Sequence, residues 1–288
     1  MKMRDQLLEK VNESDELPSF PDVILRLEQM IREDKAGNQQ IAKLVSTDIS
    51  IAGKILKMAN SSFYGSTGRG EITNLTVAIS RLGHKVIREI IFSVALSKLF
   101  ADSAITDPKL YWRHCLAVAT FSHAISRRVG ASIEDQDISY MTGLMHDVGI
   151  MVFGEIIPKE YLEFLIKIVD KDQSLEYMET YHFGIDHAEL GAAFIEKWWP
   201  VDPEIINGVR NHHNPNIGDI KERRPSQLVN VANGICNYAG MGNGINVFKG
   251  IFQESSWSGL GLELEDVEVI MDEVREAISH AESLLKAG

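Results

Sequence analysis

Apolar residues recur at helical spacing through almost the whole chain, and strand signals are almost absent. Capping residues punctuate the runs. Leu17-Pro-Ser-Phe-Pro-Asp22 reads as a helix entrance, with capping-box spacing between Ser19 and Asp22 and Pro21 in the first turn. Val23, Leu25, Leu27, Met30 and Ile31 follow. Asn38 and Asp48 are placed to cap the next two helices, the second carrying Ile51, Ile55, Leu56 and Met58 as its apolar stripe. Two more helices, around 73–82 and 85–100, bring the count to about five in the first hundred residues. Beyond Pro108 the pattern predicts a long helix to about Val129. Shorter ones follow at 135–146, 159–169, 174–181, 186–198, 203–212, 226–238 and 264–286, with a loop from Asn214 to Pro225. The fold class is therefore all-α.

At 288 residues and 44% apolar content the chain is long enough to bury a core without disulfides or metal. Cys115 and Cys236 lie in apolar helical patterns, lack CxxC spacing and read as buried free thiols. The charged start Met1–Lys10 is unlike a signal peptide. The best apolar window, Val86 to Phe100, is interrupted by Arg88, Glu89 and Lys98, so no membrane span is expected and the expected location is cytoplasmic. A formal charge of −12 argues against direct nucleic-acid binding, which relies on basic residues at phosphates, but leaves room for a small phosphorylated ligand in a local pocket.

His146-Asp147 stands in the apolar run Met141-Thr-Gly-Leu-Met-His-Asp-Val-Gly-Ile150. Burying both is costly unless something pairs with them, and an imidazole beside a carboxylate suits a divalent cation. Four other histidines occupy comparable settings. His114 lies on the long helix, His187 opens a helix behind Asp186, and His212-His213 closes the helix that begins at Pro203. Each alone reads more simply as a cap or a hydrogen-bonded core residue, and a helix dipole alone explains His212-His213. Together, helix ends projecting into one cavity would give a shell of His114, His146, Asp147, His187, His212 and His213 for one or two divalent ions. His84, His123, His182 and His280 read as surface or structural.

The order Trp112-Arg-His114, His146-Asp147-Val-Gly149, His187-x-x-x-Gly191 and His212-His213 resembles HD-superfamily phosphohydrolases, closest to the HD-GYP branch. The first half narrows the resemblance. Leu17-Pro-x-x-Pro21, Asp48 with Ile51-x-x-Lys-Ile-Leu-Lys-x-Ala-Asn60, Ser61-Ser-Phe-Tyr-Gly65 and Ala78-Ile-x-Arg-Leu-Gly83 resemble the HDOD domain over roughly residues 15–240. The resemblance implies an HD-like multi-helix bundle with an added amino-terminal helical lobe. The lobe would span 1–105 and the HD-like domain 106–240, with a glycine-rich segment and helix at 241–288 packing on the module. It implies a bacterial signalling module with a protein partner, and a site for iron, manganese, nickel or zinc. The alternative it carries is a metal-dependent phosphohydrolase acting on a nucleotide or cyclic dinucleotide phosphodiester, with Asp147 as its catalytic residue.

Departures from the HD pattern favour the non-catalytic reading. Asn233 stands where a late Asp ligand aligns, and an amide brings no negative charge. Ile150 replaces the HD-GYP lysine, and the Gly-Tyr-Pro element is absent. Arg113 and Arg210 are the candidates for a replacement phosphate contact.

Overall fold

The structure, a computed structural model, describes residues 2–14, 17–33, 35–61, 71–100, 103, 105–245, 253–263, 265–272 and 274–275. Every regular element among them is helical. The chain divides into a smaller unit built on Phe20–Ala101 and a larger one built from Met1–Ser19 and Asp102–Ile278.

The smaller unit holds α2 (Asp22–Arg32), α3 (Asn38–Val45), α4 (Ile49–Ala59) and α5 (Leu75–Ser97). Helix α5 is broken at Gly83, where φ is +78°, so the two expected helices meet at one left-handed residue. Asp48 caps α4 as its position predicts, accepting from the N–H groups of Ser50 and Ile51 at 2.9 and 3.2 Å. The other two expected caps differ. Pro21 and Gly37 occupy the cap positions of α2 and α3, so Ser19 falls two residues before the cap of its helix and Asn38 one residue inside its own. Asn38 instead bonds His84 Nε2 at 2.7 Å. Asn60 ends α4 and ties its last turn to Ile72: Nδ2 donates to the carbonyls of Leu56 and Ile72, and Oδ1 accepts from Ile72 N–H. This gives a physical reason for asparagine there. Residues 62–65 of the Asn60–Gly65 signature lie outside the described residues.

The larger unit contains α1 (Met3–Glu13), which the sequence reading places in the lobe 1–105. Its buried Leu7 and Val11 pack with α11 (His187–Trp198) and α8 (Val148–Ile156), and the Trp198 indole donates to Val11 O at 2.9 Å. Helices α6 (Pro108–Arg128), α7 (Ile133–Met145), α12 (Pro203–Asn211) and α13 (Ile220–Tyr238) pack with one another, and α11 packs between α12 and α8. Helix α13 starts earlier than expected and carries Pro225 inside it. Pro225 costs one ladder bond but is buried against Gly208 of α12, where packing offsets the loss. On the far side of α13, α14 (Glu254–Leu260) and the helical residues 265–272 contribute Leu260, Leu262 and Ile270 to a core with Phe121, Ile125, Val231 and Ile235. Cys115 and Cys236 are buried and free.

An aromatic layer lies beside the bundle. Phe153 of α8 stacks on Tyr161 of α9 (Pro158–Ile168) with centroids 4.6 Å apart, and Phe183 of α10 (Leu175–Phe183) leans on both. No helix among the described residues is long and apolar enough to cross a membrane.

Candidate metal centre

Helix ends deliver most of the site. Met145 closes α7 and Val148 opens α8, so His146 and Asp147 are the whole joint between them. His187 is the first residue of α11, held there by the Asp186 cap on Glu189 N–H at 2.8 Å. His212 caps the end of α12 and His213 follows. Only His114 comes from a helix interior, that of α6. Helices α8 and α11 meet through two glycines. A Cβ on Gly149 would lie 1.9 Å from His187 O, and one on Gly191 would lie 2.7 Å from Gly149 N. The glycines in His146-Asp-Val-Gly149 and His187-x-x-x-Gly191 thus bring the two helix starts close enough for Asp147 and His187 to meet.

Second partners fix each ring. His146 Nδ1 bonds Gly143 O at 2.8 Å and His212 Nδ1 bonds Val209 O at 2.7 Å, each using a carbonyl that the helix end leaves free. His114 Nδ1 bonds Met241 O at 2.7 Å. A carbonyl only accepts, so these Nδ1 atoms carry the proton and the Nε2 atoms of the neutral rings carry lone pairs. Those lone pairs surround one carboxylate, which is 2% exposed. Asp147 Oδ1 is 3.1 Å from His146 Nε2, 3.4 Å from His187 Nε2 and 3.8 Å from His212 Nε2, while Oδ2 is 3.5 Å from His114 Nε2. His213 Nε2 lies 2.8 Å from His187 Nε2. All six residues proposed from sequence converge.

The donor set fits a divalent cation. Ligands about 2.1 Å from one ion sit roughly 3.0–3.4 Å apart in octahedral or tetrahedral arrangements, the spacing at which His146 Nε2 and His187 Nε2 stand from Asp147 Oδ1, with His114 and His212 just beyond it. His146 Nε2 and His212 Nε2 are buried without a hydrogen-bond partner, and such orphans are costly unless something else satisfies them. Two triads, His114–His146–Asp147 and His187–His212–His213, have ligand atoms close enough together to hold an ion.

The electrostatics follow from burial and crowding. Burial pushes the Asp147 carboxyl up, but the imidazoles of His146 and His187 outweigh it and hold the group well below its usual range. Burial drives His114 down to about 4 against the opposing pull of Asp147. His212 and His213 are lowered by burial and by neighbouring imidazoles. His187 is the exception. Burial lowers it, yet Glu179 and Asp147 together raise it well above the ordinary value.

Glu179 is a site residue that sequence reading missed. It is buried, and its Oε2 accepts from His187 N–H at 2.8 Å and pairs with His187 Nδ1 at 2.6 Å, while Oε1 accepts from Tyr161 at 2.5 Å. Three donors offset the several kcal/mol that burying a carboxylate costs. A signal was available: Glu179 interrupts the apolar face that Leu175 and Phe183 define one turn to either side. Asn243 was also missed; its Nδ2 donates to Asp147 Oδ2 at 2.8 Å. Asn230 and Gln253 hold the paired histidines from behind, donating to the carbonyls of His212 and His213, both at 2.9 Å.

The remaining candidates are engaged elsewhere or contribute nothing visible to the cluster. Asn233 Oδ1 accepts from Asn237 one turn along α13 at 2.9 Å. Arg210, expected at a phosphate, instead bonds Glu196 at 2.8 Å, because the last turn of α12 faces that carboxylate on α11. Arg113 Nε is buried and finds no hydrogen-bond partner among the described residues. Ile150 is completely buried, so no cation stands there.

These features define an all-helical protein with an HD-type cluster of histidines and one central aspartate. The HDOD domain model matches residues 17–215, and the chain belongs to the HDOD family. A solved HDOD domain protein of unknown function from Geobacter sulfurreducens superposes with a TM-score of 0.77 at 24% identity, covering 99% of this chain and 97% of that one. A protein from Shewanella amazonensis, provisionally named a phosphohydrolase, superposes with a TM-score of 0.71 at 18% identity over 96% of each chain. An uncharacterised protein of Treponema pallidum is 25% identical over 200 residues, 69% of this chain but only 38% of that longer protein.

Proposed function

We propose that this HDOD protein is a signal-transduction module whose HD-type site binds a divalent metal ion and has little or no hydrolytic turnover. The observation that carries the metal is the pair of orphaned Nε2 lone pairs, on His146 and His212, beside the Asp147 carboxylate. Six side chains that could serve as ligands converge, four of their rings are oriented by hydrogen bonds through Nδ1, and Glu179 does for His187 what carboxylates do for metal-bound histidines generally. A bound divalent ion would lower the pKa of water and neutralise phosphoryl charge. The residues around it supply little else for phosphoryl transfer: Arg210 is spent on Glu196, Ile150 is apolar, and Asn233 is bonded along its own helix. On this reading the ion organises the bundle and the module reports to a protein partner.

The second reading, a metal-dependent phosphohydrolase for a nucleotide or cyclic dinucleotide phosphodiester, draws on the same donor set. One experiment separates them. Protein expressed anaerobically with iron, manganese, nickel or zinc is assayed for bound metal and for cleavage of bis-p-nitrophenyl phosphate and cyclic dinucleotides. The proposal expects near-stoichiometric metal, lost in His146→Ala, and no turnover above that variant. Metal-free wild-type protein would sink the metal reading, and turnover abolished by His146→Ala would establish the phosphohydrolase instead.

A further inference from the structure

The segment Met241–Ile245 passes beside Asp147 and is tied to the larger unit at three points. Met241 O accepts from His114 Nδ1 at 2.7 Å, Asn243 O accepts from Thr106 at 2.9 Å, and Asn243 Nδ2 donates to Asp147 Oδ2 at 2.8 Å. Ile245 N–H donates to Asn243 Oδ1 at 3.1 Å, which fixes the amide with its nitrogen toward the carboxylate. Gly244, at φ +81°, makes the turn where a Cβ would meet Thr106 and Leu110 at 3.2 Å. Asn243 is half-buried and Gly244 exposed, so this strap runs from the surface to Asp147.

The cluster has room for two ions by ligand count, one in each triad, with Asp147 belonging to only one of them. Charge and the Asn243 amide together oppose the second ion. Two divalent ions would bring four positive charges against the single negative charge of Asp147, because every other candidate ligand is an imidazole. The oxygen that faces His114 is also the one already bonded to the positive end of the Asn243 amide. Oδ1, in contrast, is near three imidazoles and has no amide donor.

Resting on the metal reading above, we propose that the strap confines the centre to one divalent ion on the Oδ1 side of Asp147, where His146, His187 and His212 converge, with Asn243 closing the His114 side. Asn243 is thus a specificity-determining residue for metal number. Asn243→Asp supplies a second carboxylate where the amide now stands, and Asn243→Ala removes the donor without adding charge.

The test is metal stoichiometry on the full chain reconstituted with Mn2+ alone, read by elemental analysis and by electron paramagnetic resonance. Wild type is expected to take one equivalent and give the six-line spectrum of an isolated ion. Asn243→Asp is expected to take two and give the multiline spectrum of a coupled pair. If that variant does not fold, Asn243→Ala is read instead and is expected to exceed one equivalent. Two equivalents in wild type, or one in a folded variant, would overturn the strap proposal while leaving the metal reading intact. No Mn2+ in any of the proteins would overturn both.

Discussion

Glu179 Oε2 receives two hydrogen bonds from a single residue, His187, through its backbone N–H and its ring Nδ1. The carboxylate thereby sets both the start of α11 and the direction of the His187 ring. Glu179→Gln keeps the shape but weakens both bonds, and one donor must then turn away. Metal affinity should fall about 10- to 100-fold, the usual cost of losing such a partner. Chelator competition against wild type measures it. Unchanged affinity in a folded variant would show that His187 is oriented by packing alone.

Acid should loosen the metal-free protein well before its carboxylates titrate. His114 has a folded-state pKa of about 4 against 6.5 unfolded, so between these values the unfolded chain binds more protons and stability falls as pH falls. By pH 5 this one residue costs about 2 kcal/mol. His212 and His213 are lowered too and act in the same direction, while His187, being raised, gains stability as pH falls towards 6.5 and opposes them only above that value. Asp147, lowered, adds a further loss only below its unfolded value of 3.8. Denaturant midpoints at pH 7.5, 6 and 5 should decline in order, and a flat series would refute the neutral-imidazole assignment. Saturating metal should flatten the decline at its upper end, because it holds the imidazoles unprotonated.

Gly149→Ala should be among the most damaging single-methyl changes in the protein. The new Cβ would sit 1.9 Å from His187 O, a backbone atom with no freedom to withdraw. Helices α8 and α11 would have to separate, at a cost of at least about 3 kcal/mol. Gly53→Ala is the matched control: it lies within α4, its Cβ meets nothing within 4 Å, and the change should gain about 0.5–1 kcal/mol from helix propensity. Thermal unfolding of the two variants should move in opposite directions.

Asn60→Ala removes two hydrogen bonds that join the end of α4 to Ile72 and a third to Leu56 within α4. At about 1 kcal/mol each, the smaller unit should lose about 2–3 kcal/mol. Amide exchange at Ile72 should speed up before the rest of the unit responds. Protection unchanged at Ile72 would show that the loop is held elsewhere.

Helices and histidines were legible in the sequence because their signals are local. The Asp48 and Asp186 caps, the break at Gly83 and the apolar stripes each depend on residues within a turn or two. His146-Asp147 stood out as a polar pair in an apolar run, and four more residue positions gathered their meaning from that pair. Gly149 and Gly191 could be seen as motif positions, but not that they touch, since that contact spans 42 positions and depends on how α8 crosses α11. Arg210 illustrates the same limit, for nothing within its own helix announces Glu196 as its partner.

The sequence by itself determined an all-helical chain, its caps and the chemical types of the ligands, since periodicity and capping are properties of neighbours. Only the tertiary structure decided that α1 joins the larger unit, that Glu179 lies behind His187 and that Asn243 bonds Asp147. Asn243 comes from a glycine-rich stretch with no pattern of its own, and it meets a carboxylate 96 residues away. Such pairings are fixed by the cost of leaving buried charges unpartnered, and that cost is settled only when the whole core closes.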